Sequence, residues 1–299
     1  MNKIIPIILA ISIIGNLVGL FFAYQWLTMR RSVNYLQSQV RDASKVINYL
    51  TDITELNMPT RMVYLHHSVG KGFLYDGGLR DSLAQLGVAV KGATYGDEVG
   101  QNTDMCDWTT KFTADMQRIF MFKAHPNLYY TDGKTNDIVM FKSCYPNSYV
   151  ESEGSGAGNP TDKKRTTENY KAAFASISKE MQKYPDKLFV YMTYPPMAAP
   201  ETNPEAAKRG RAFNQWLMGE YLPSYKKETG LDNFVIFDLF DILADSNNVL
   251  RDEYRRENPK DSHPNLKGNQ EVARRFMEFF KPVWVAWQKQ GVQAVKAGR

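Results

Sequence analysis

Residues suited to holding metals or forming disulfides are scarce in this sequence, which has two cysteines and four histidines among 299 residues. His66 and His67 are adjacent, but no acidic or histidine partner follows them at metal-ligand spacing. We therefore expect no metal and no cofactor. Long basic runs and zinc-finger or homeodomain spacings are also missing, so the net charge of +5 predicts no nucleic-acid partner.

Charged residues are absent from Ile4–Leu27, a run that ends in bulky aromatic side chains before Arg30 and Arg31. As a helix it would be roughly 36 Å long, enough to cross a hydrocarbon core of roughly 30 Å. A cleaved signal peptide is the alternative, but its apolar core would be only about 7–15 residues long and would end in small residues. We predict a single-pass membrane anchor over residues 1–29, with the membrane contacted by residues 4–27.

The next segment, residues 30–58, carries a heptad pattern of apolar residues and ends before Pro59. The seam consists of Val33, Leu36, Val40, Ala43, Ile47 and Leu50. One interpretation is an amphipathic helix that packs on its own domain. The other is a coiled-coil stalk that joins chains into a homo-oligomer through residues 33–50, because a membrane tether raises their effective concentration.

The remaining residues, 59–299, alternate between short apolar runs and longer amphipathic stretches. The runs predict strands at residues 61–66, 88–92, 137–141, 187–192 and 234–237. Helices are predicted at residues 76–86, 107–123, 169–184, 205–228 and 266–288. Such alternation predicts one α/β domain with a parallel sheet covered by helices on both faces, in which ligands bind at the carboxyl ends of the strands.

Polar residues suited to acyl transfer follow these predicted strands. Ser68 comes after the first strand, Gly96 after the second, and Asp261 and His263 precede the last helix. Acyl transfer requires a hydroxyl nucleophile, a base that accepts its proton, a group that orients the base, and backbone donors for the oxyanion. The structural alternative is that Ser68 and His263 only cap helices or turns.

This arrangement resembles the SGNH (GDSL-like) hydrolase superfamily over about residues 61–280. Ser68 matches the nucleophile, Gly96 the oxyanion-hole glycine, and Asp261 with His263 the block before the last helix. The resemblance implies a flavodoxin-like three-layer fold with a five-stranded parallel sheet in the order 2-1-3-4-5. It also implies a serine ester hydrolase in which His263, oriented by Asp261, accepts the proton of Ser68.

Two blocks depart from the family pattern. Cys144 stands near the position where the third block usually supplies an oxyanion-hole asparagine, and Asn147 is the expected substitute. The predicted oxyanion hole is therefore Asn147 with the backbone N–H groups of Ser68 and Gly96. The usual acid lies three residues before the histidine, where this sequence has a lysine. Asp261 is one residue nearer, and Asp238 is the alternative acid.

Further residues are expected to surround the nucleophile. We predict that His67, Ser143 and Tyr145 line the pocket, because each stands in a loop that follows a strand. Cys106 and Cys144 follow the strands on either side of the first strand in a 2-1-3-4-5 sheet, and we expect them to form a disulfide above the nucleophile. Two buried free thiols are the alternative.

The resemblance implies a membrane-anchored serine esterase or deacylase that removes O-acyl groups, O-acetyl above all, from a cell-envelope polysaccharide. Acyl transfer to another sugar is chemically close. A second hypothesis is an inactive SGNH-like scaffold or binding module in an envelope assembly, since two sequence blocks are altered. A third hypothesis is a phospholipid or lysophospholipid esterase, which would suit the predicted membrane tether.

The globular domain is predicted to lie outside the cytoplasm, against the simple charge count. Four basic residues follow the apolar run: Arg30, Arg31, Arg41 and Lys45. By the positive-inside rule they would keep the domain on the cytoplasmic side of the membrane. The tail before the run is short and carries Lys3 and the amino terminus, which suits a signal anchor. A disulfide and an envelope substrate would both require an external domain.

Overall fold

The computed structural model describes residues 25–27, 29, 30, 33 and 60–296, with side chains to residue 289. The predicted anchor and coiled coil lie almost entirely outside these residues and stay predictions. Within the described part of the chain, no helix combines the length and apolar character needed to span a membrane. A division into two units falls at Asn57–Met58, and the fold below belongs to the second unit, Met58–Arg299.

A parallel five-stranded sheet forms the centre of this unit. Its strands are β1 (Thr60–Leu65), β2 (Val88–Ala93), β5 (Ile138–Phe141), β6 (Leu188–Met192) and β7 (Phe234–Phe237). A separate antiparallel hairpin consists of β3 (Phe122–Ala124) and β4 (Leu128–Tyr129). The order of the sheet is β2-β1-β5-β6-β7, which differs from the predicted 2-1-3-4-5 only in numbering, because the hairpin, which was not predicted, takes the third and fourth places in the chain.

Helices connect the strands. They are α1 (Ser68–Lys71), continued by a π-helical turn (Gly72–Asp76), α2 (Leu79–Gln85), α3 (Trp108–Ala114), α4 (Met116–Met121), α5 (Thr167–Met181), α6 (Pro204–Trp216), a π-helical turn (Leu217–Tyr221), α7 (Leu222–Thr229), α8 (Leu239–Leu243) and α9 (Leu266–Lys296). Short 3₁₀ turns occupy Tyr145–Ser148, Ala199–Glu201 and Asp252–Tyr254. Parallel strands need such crossover connections, since they cannot be joined by tight turns.

The period of two along each strand places apolar side chains on both faces of the sheet. In β1, Val63 and Leu65 belong to one buried cluster, whereas Met62 and Tyr64 belong to the other. Helices α3 to α7 cover the first face, and α1, α2, α8 and α9 cover the second. Because both faces are buried, the strands are apolar at nearly every position, as parallel strands in layered α/β folds usually are.

Local signals in the sequence fix where the longer helices begin. The Thr166 side chain accepts from the backbone N–H of Asn169 at 3.2 Å and caps α5. The Asn203 side chain accepts from Ala206 N–H at 2.9 Å, and Pro204 takes the first helical position of α6, where no N–H is needed. Because the strands are parallel, the loops that follow them all lie at the carboxyl edge of the sheet.

Candidate active site

Ser68, His263 and Asp261 form a continuous hydrogen-bonded chain at the carboxyl edge of the sheet. His263 Nε2 lies 2.7 Å from Ser68 Oγ, and His263 Nδ1 lies 2.5 Å from Asp261 Oδ1. The distance between Ser68 Oγ and His263 Nε2 lies within the hydrogen-bond reach expected of a nucleophile and its base. Asp261 Oδ1 also accepts from the His263 backbone N–H at 2.9 Å, so one carboxylate oxygen fixes both the ring and its backbone.

Different elements bring these side chains together across 195 residues of sequence. Ser68 is the first residue of α1, two residues beyond the end of β1, and is half-buried. His263 lies in the loop before α9. The loop is anchored by Ser262, which is buried and accepts from Ala198 N–H at 2.9 Å. Asn265 donates from its amide to backbone carbonyls of the preceding turn, which holds the other end of the loop.

The carboxylate of Asp261 is suited to hold a positively charged imidazole. Partial burial disfavours its ionised form, but the hydrogen bonds from the backbone and ring of His263, with the nearby Arg256, lower its pKa overall. Asp238 lies elsewhere: its Oδ1 accepts from Thr193 Oγ1 at 3.1 Å and caps α8, and burial raises its pKa. The structure therefore places Asp261, and not Asp238, against the histidine.

The Gly96 turn lies beside the nucleophile and has a backbone that favours glycine. Gly96 has a φ of +93°, and a Cβ there would lie 3.1 Å from His125 Cε1. The buried Asp97 holds the turn, since its Oδ2 accepts from Thr94 N–H at 3.0 Å. Its Oδ1 accepts from His125 Nδ1–H at 3.0 Å and from Asn127 N–H at 3.1 Å. The acidic residue after the glycine is thus a structural part of the turn.

Asn147 does not point into the site, contrary to the prediction that it would supply an oxyanion donor. It lies in the 3₁₀ turn Tyr145–Ser148, which Pro146 initiates and which turns its buried side chain toward the loop of residues 104–105. Its amide donates to Asp104 Oδ1 at 2.7 Å and to the Cys144 carbonyl at 3.2 Å. Both amide hydrogens are therefore engaged, and none is free for a substrate.

Ser143 was predicted to line the pocket and is instead fully buried beneath it. Its hydroxyl accepts from Trp108 Nε1–H at 2.8 Å, inside the first apolar cluster. The alternation of β5 explains the error, because residues 141 and 143 face the α3 side while residues 142 and 144 face the other side. Tyr145 does lie beside the site, with its ring edge-on to His263 at a centroid distance of 5.2 Å.

The expected disulfide is not formed, because Cys106 and Cys144 are free thiols with different neighbours. Cys106 Sγ contacts Asp107 Oδ1 at 3.7 Å, and burial together with nearby acidic groups raises the Cys106 pKa to about 11. Cys144 is buried and its Sγ lies 3.9 Å from Ser68 Oγ. Cys144 therefore belongs to the wall of the site. Because no disulfide forms, these two cysteines give no indication of an oxidising compartment.

His67, the residue before Ser68, forms a stacked pair with Tyr95. Their ring centroids are 3.9 Å apart with an interplanar angle of 24°. His67 is fixed by Gly100 O at 2.9 Å and by Thr103 Oγ1 at 3.2 Å, and burial lowers its pKa. Tyr95 is exposed on its remaining surface, and partial burial raises the pKa of its hydroxyl. Sequence analysis assigned Tyr95 no role, although it stands directly before the oxyanion-hole glycine.

Titratable groups also lie beneath the nucleophile. His66 is buried and donates from Nδ1 to His67 O at 2.9 Å, and burial lowers its pKa to about 3. Among the described residues, neither His66 Nε2 nor the Tyr64 hydroxyl has a hydrogen-bond partner. Lys142 is fully buried, donates to Ser143 O at 3.2 Å, and has its pKa lowered by burial. In the described part of the chain no group of three or more metal-ligating side chains is found.

Comparisons with known proteins give similarities of overall structure only. No protein-family model and no curated protein matches the sequence. A GDSL-like lipase from Bacteroides thetaiotaomicron is similar over 80% of this chain and 97% of its own, with 16% identity and a TM-score of 0.45. A provisionally assigned acylhydrolase from Bacteroides fragilis is similar over 78% of this chain and 93% of its own, with 15% identity and a TM-score of 0.44. At these TM-scores the similarities carry no argument about function, which depends on the geometry of the site.

Proposed function

We propose that this protein is a serine ester hydrolase of the SGNH type. The observation that carries the proposal is the hydrogen-bonded chain from Ser68 Oγ through His263 to Asp261, with distances of 2.7 and 2.5 Å. A nucleophile bonded to a base, and a base bonded to an orienting carboxylate, form the arrangement required for nucleophilic acyl transfer. The hydroxyl of a serine that only caps a helix would have no need of the two further groups.

Each residue has a defined part in the proposed reaction. Ser68 Oγ attacks the acyl carbonyl carbon while His263 Nε2 accepts the hydroxyl proton. Asp261 stabilises the resulting imidazolium and keeps its ring in place. The backbone N–H groups of Ser68 and Gly96 stabilise the oxyanion. Proton return from His263 releases the alcohol, and water then attacks the acyl-enzyme with His263 again as the base.

The exposure of the site favours an acyl group carried by a large, water-soluble partner. The side chains of His263 and Asp261 are 23% and 22% exposed. Tyr95, which stacks on His67 beside the nucleophile, is 55% exposed. A lipid esterase would require a long apolar groove beside the serine, whereas a short acyl ester on a glycan needs only an open rim. We therefore propose O-acyl groups of an envelope polysaccharide, O-acetyl above all, as the substrate, with hydrolysis or transfer to another sugar as the outcome.

The membrane tether through residues 4–27 and the extracytoplasmic position of the domain are part of this proposal. The tether is supported by the uncharged run, and the external position by the envelope polysaccharide proposed as the substrate. Protease added to intact cells, or to spheroplasts where a second membrane exists, should digest the domain. Digestion only after lysis would contradict the external position.

Hydrolysis of p-nitrophenyl acetate by Ser68→Ala tests the proposed activity. Loss of the nucleophile should lower kcat on the order of 10³-fold or more. Ser82→Ala is a matched control, since its hydroxyl bonds to Gly78 O in α2, outside the site. Equal rates for Ser68→Ala and the wild type would instead favour an inactive scaffold.

A further inference from the structure

The tip of the β3–β4 hairpin contacts the turn that carries Gly96. The tip consists of residues 125–127, which connect the two short strands. Near its first strand the hairpin is attached to the core by the buried Asn136, whose amide donates to three backbone carbonyls at distances between 2.7 and 3.2 Å. The hairpin therefore presents its tip to the Gly96 turn from an anchored base.

Asn127 in this tip is bonded to three consecutive residues of the Gly96 turn. Its side-chain amide donates to Gly96 O at 3.3 Å, and its Oδ1 accepts from Glu98 N–H at 2.7 Å. Its backbone N–H donates to Asp97 Oδ1 at 3.1 Å. Asn127 has a φ of +52°, a left-handed conformation that asparagine adopts more readily than most residues. One side chain and its own backbone thus hold the turn.

The turn needs such a hold because its central residue is a glycine. Gly96 has no Cβ and a φ of +93°, so local steric contacts restrict the direction of its N–H less than they would in another residue. The chain before the glycine is held by Tyr95, whose ring is stacked on His67. The chain after the glycine is held by Asn127. The Gly96 N–H therefore lies between two fixed points.

The Gly96 N–H differs from its neighbours in having no acceptor among the residues that the structure describes. Asp97 N–H donates to Thr94 O at 3.0 Å, and Glu98 N–H donates to Asn127 Oδ1. A donor for an oxyanion must be available to the substrate and must be fixed in direction before the charge develops. The fold of the turn leaves the Gly96 N–H available, and Asn127 fixes the turn that carries it.

We propose that Asn127 is a positioning residue, which fixes the Gly96 N–H in the direction that the oxyanion requires. Attack by Ser68 Oγ breaks the carbonyl π bond, whose electrons go to the oxygen, while the serine proton goes to His263. The Gly96 N–H donates to that oxygen, and Asn127 acts only through the backbone. The direction of this N–H matters more because Asn147 donates its amide hydrogens elsewhere. The inference rests on the proposed esterase function and adds a positioning residue to it.

Kinetics of Asn127→Gly with p-nitrophenyl acetate test this role. Glycine keeps the left-handed backbone and the N–H that donates to Asp97, so the variant loses only the two side-chain hydrogen bonds. We expect kcat to fall on the order of 10- to 100-fold, with KM changed only a few-fold. Asn248→Gly is the matched control, since Asn248 has a φ of +66° and its Oδ1 accepts from Arg211. Its kcat should equal that of the wild type.

Inhibition by methylboronic acid separates positioning of the oxyanion donor from a general loss of structure. The boronic acid forms a tetrahedral adduct with an activated serine and places an oxygen where the oxyanion would lie. In Asn127→Gly its inhibition constant should rise by about the factor by which kcat/KM falls. Urea denaturation should give similar midpoints for Asn127→Gly and Asn248→Gly, because each loses only side-chain bonds of a surface turn.

The outcomes distinguish this role from the proposed activity. A wild-type kcat in Asn127→Gly, or a lowered kcat with an unchanged inhibition constant for methylboronic acid, would overturn the role of Asn127. If the wild type has no Ser68-dependent activity, the esterase proposal and the role of Asn127 fail together. An active wild type with a normal Asn127→Gly variant overturns the role of Asn127 alone.

Discussion

Acid should destabilise this domain through His66, a buried histidine that no proposed catalytic step uses. Its ring is 1% exposed, and its Nδ1–H donates to His67 O at 2.9 Å. The substitution His66→Asn keeps a donor near the position of Nδ1 and removes the titrating ring. The variant therefore isolates the effect of protonation from the effect of the hydrogen bond.

The size of the effect follows from the pKa of His66, which burial lowers from 6.5 to about 3. At about 1.36 kcal/mol per pKa unit, this difference corresponds to about 5 kcal/mol. The unfolded chain binds a proton below pH 6.5, whereas the folded domain does not until about pH 3. The stability is thus complete above pH 6.5 and is lost as the pH falls toward 3, with about 3 kcal/mol lost at about pH 4.5.

Urea denaturation between pH 7.5 and pH 4.5 would measure this loss. The free energy of unfolding of the wild type should fall by about 3 kcal/mol relative to that of His66→Asn over this range. Leu65→Ala is a suitable control, because it removes a buried, uncharged side chain and should lower stability equally at both pH values. A difference between wild type and His66→Asn that does not change with pH would refute the reasoning.

Three further predictions follow from the site and the sequence. Asp261→Asn should lower kcat on the order of 10³–10⁴-fold, because the amide cannot hold the histidine ring as a carboxylate does. Asp238→Asn should change kcat only a few-fold. Steady-state hydrolysis of p-nitrophenyl acetate checks both variants. Burial lowers the pKa of the Lys142 amine in the folded domain, whereas the unfolded chain keeps that proton up to about pH 10.5, so the stability of the wild type should rise with pH below about 10.5. Lys142→Met should abolish this rise. Urea denaturation at pH 7 and pH 10 measures it, and a rise that persists in the variant would contradict the prediction. Val40→Asp with Ile47→Asp should dissociate the predicted coiled coil at a cost of roughly several kcal/mol, and a wild type that is already monomeric in detergent would contradict that prediction.

The sheet was predictable because its strands are short apolar runs separated by turn residues. The run Phe234–Phe237 coincides with the predicted fifth strand, and the other strands agree within one residue at each end. The hairpin β3–β4 was missed because its strands have only three and two residues and no alternating pattern. The segment predicted as one helix over residues 107–123 is broken at Asp115, which lies outside the helical region with φ −111° and ψ 5°.

Site residues were predictable where their role depends on their place in the chain relative to a strand or helix. They were not predictable where the role depends on the direction in which the side chain points. Ser68 and His263 follow from their places after β1 and before α9. The orientation of Asn147 depends on the 3₁₀ turn Tyr145–Ser148, where Pro146 indicates a turn but not the direction in which the Asn147 side chain points. Tyr95 stacks on His67, the residue before Ser68, and this contact is set by tertiary packing. The positions of the two thiols likewise depend on which way each loop turns.

The most direct test of the central claim is the labelling of Ser68 by a fluorophosphonate, followed by intact mass and peptide mapping. The reagent phosphorylates a serine that is activated by a neighbouring base, so the wild type should gain one adduct, located on Ser68. Ser68→Ala should gain none, and His263→Ala should react far more slowly. An unmodified Ser68 in the folded wild type, or an equal adduct in Ser68→Ala, would contradict the account.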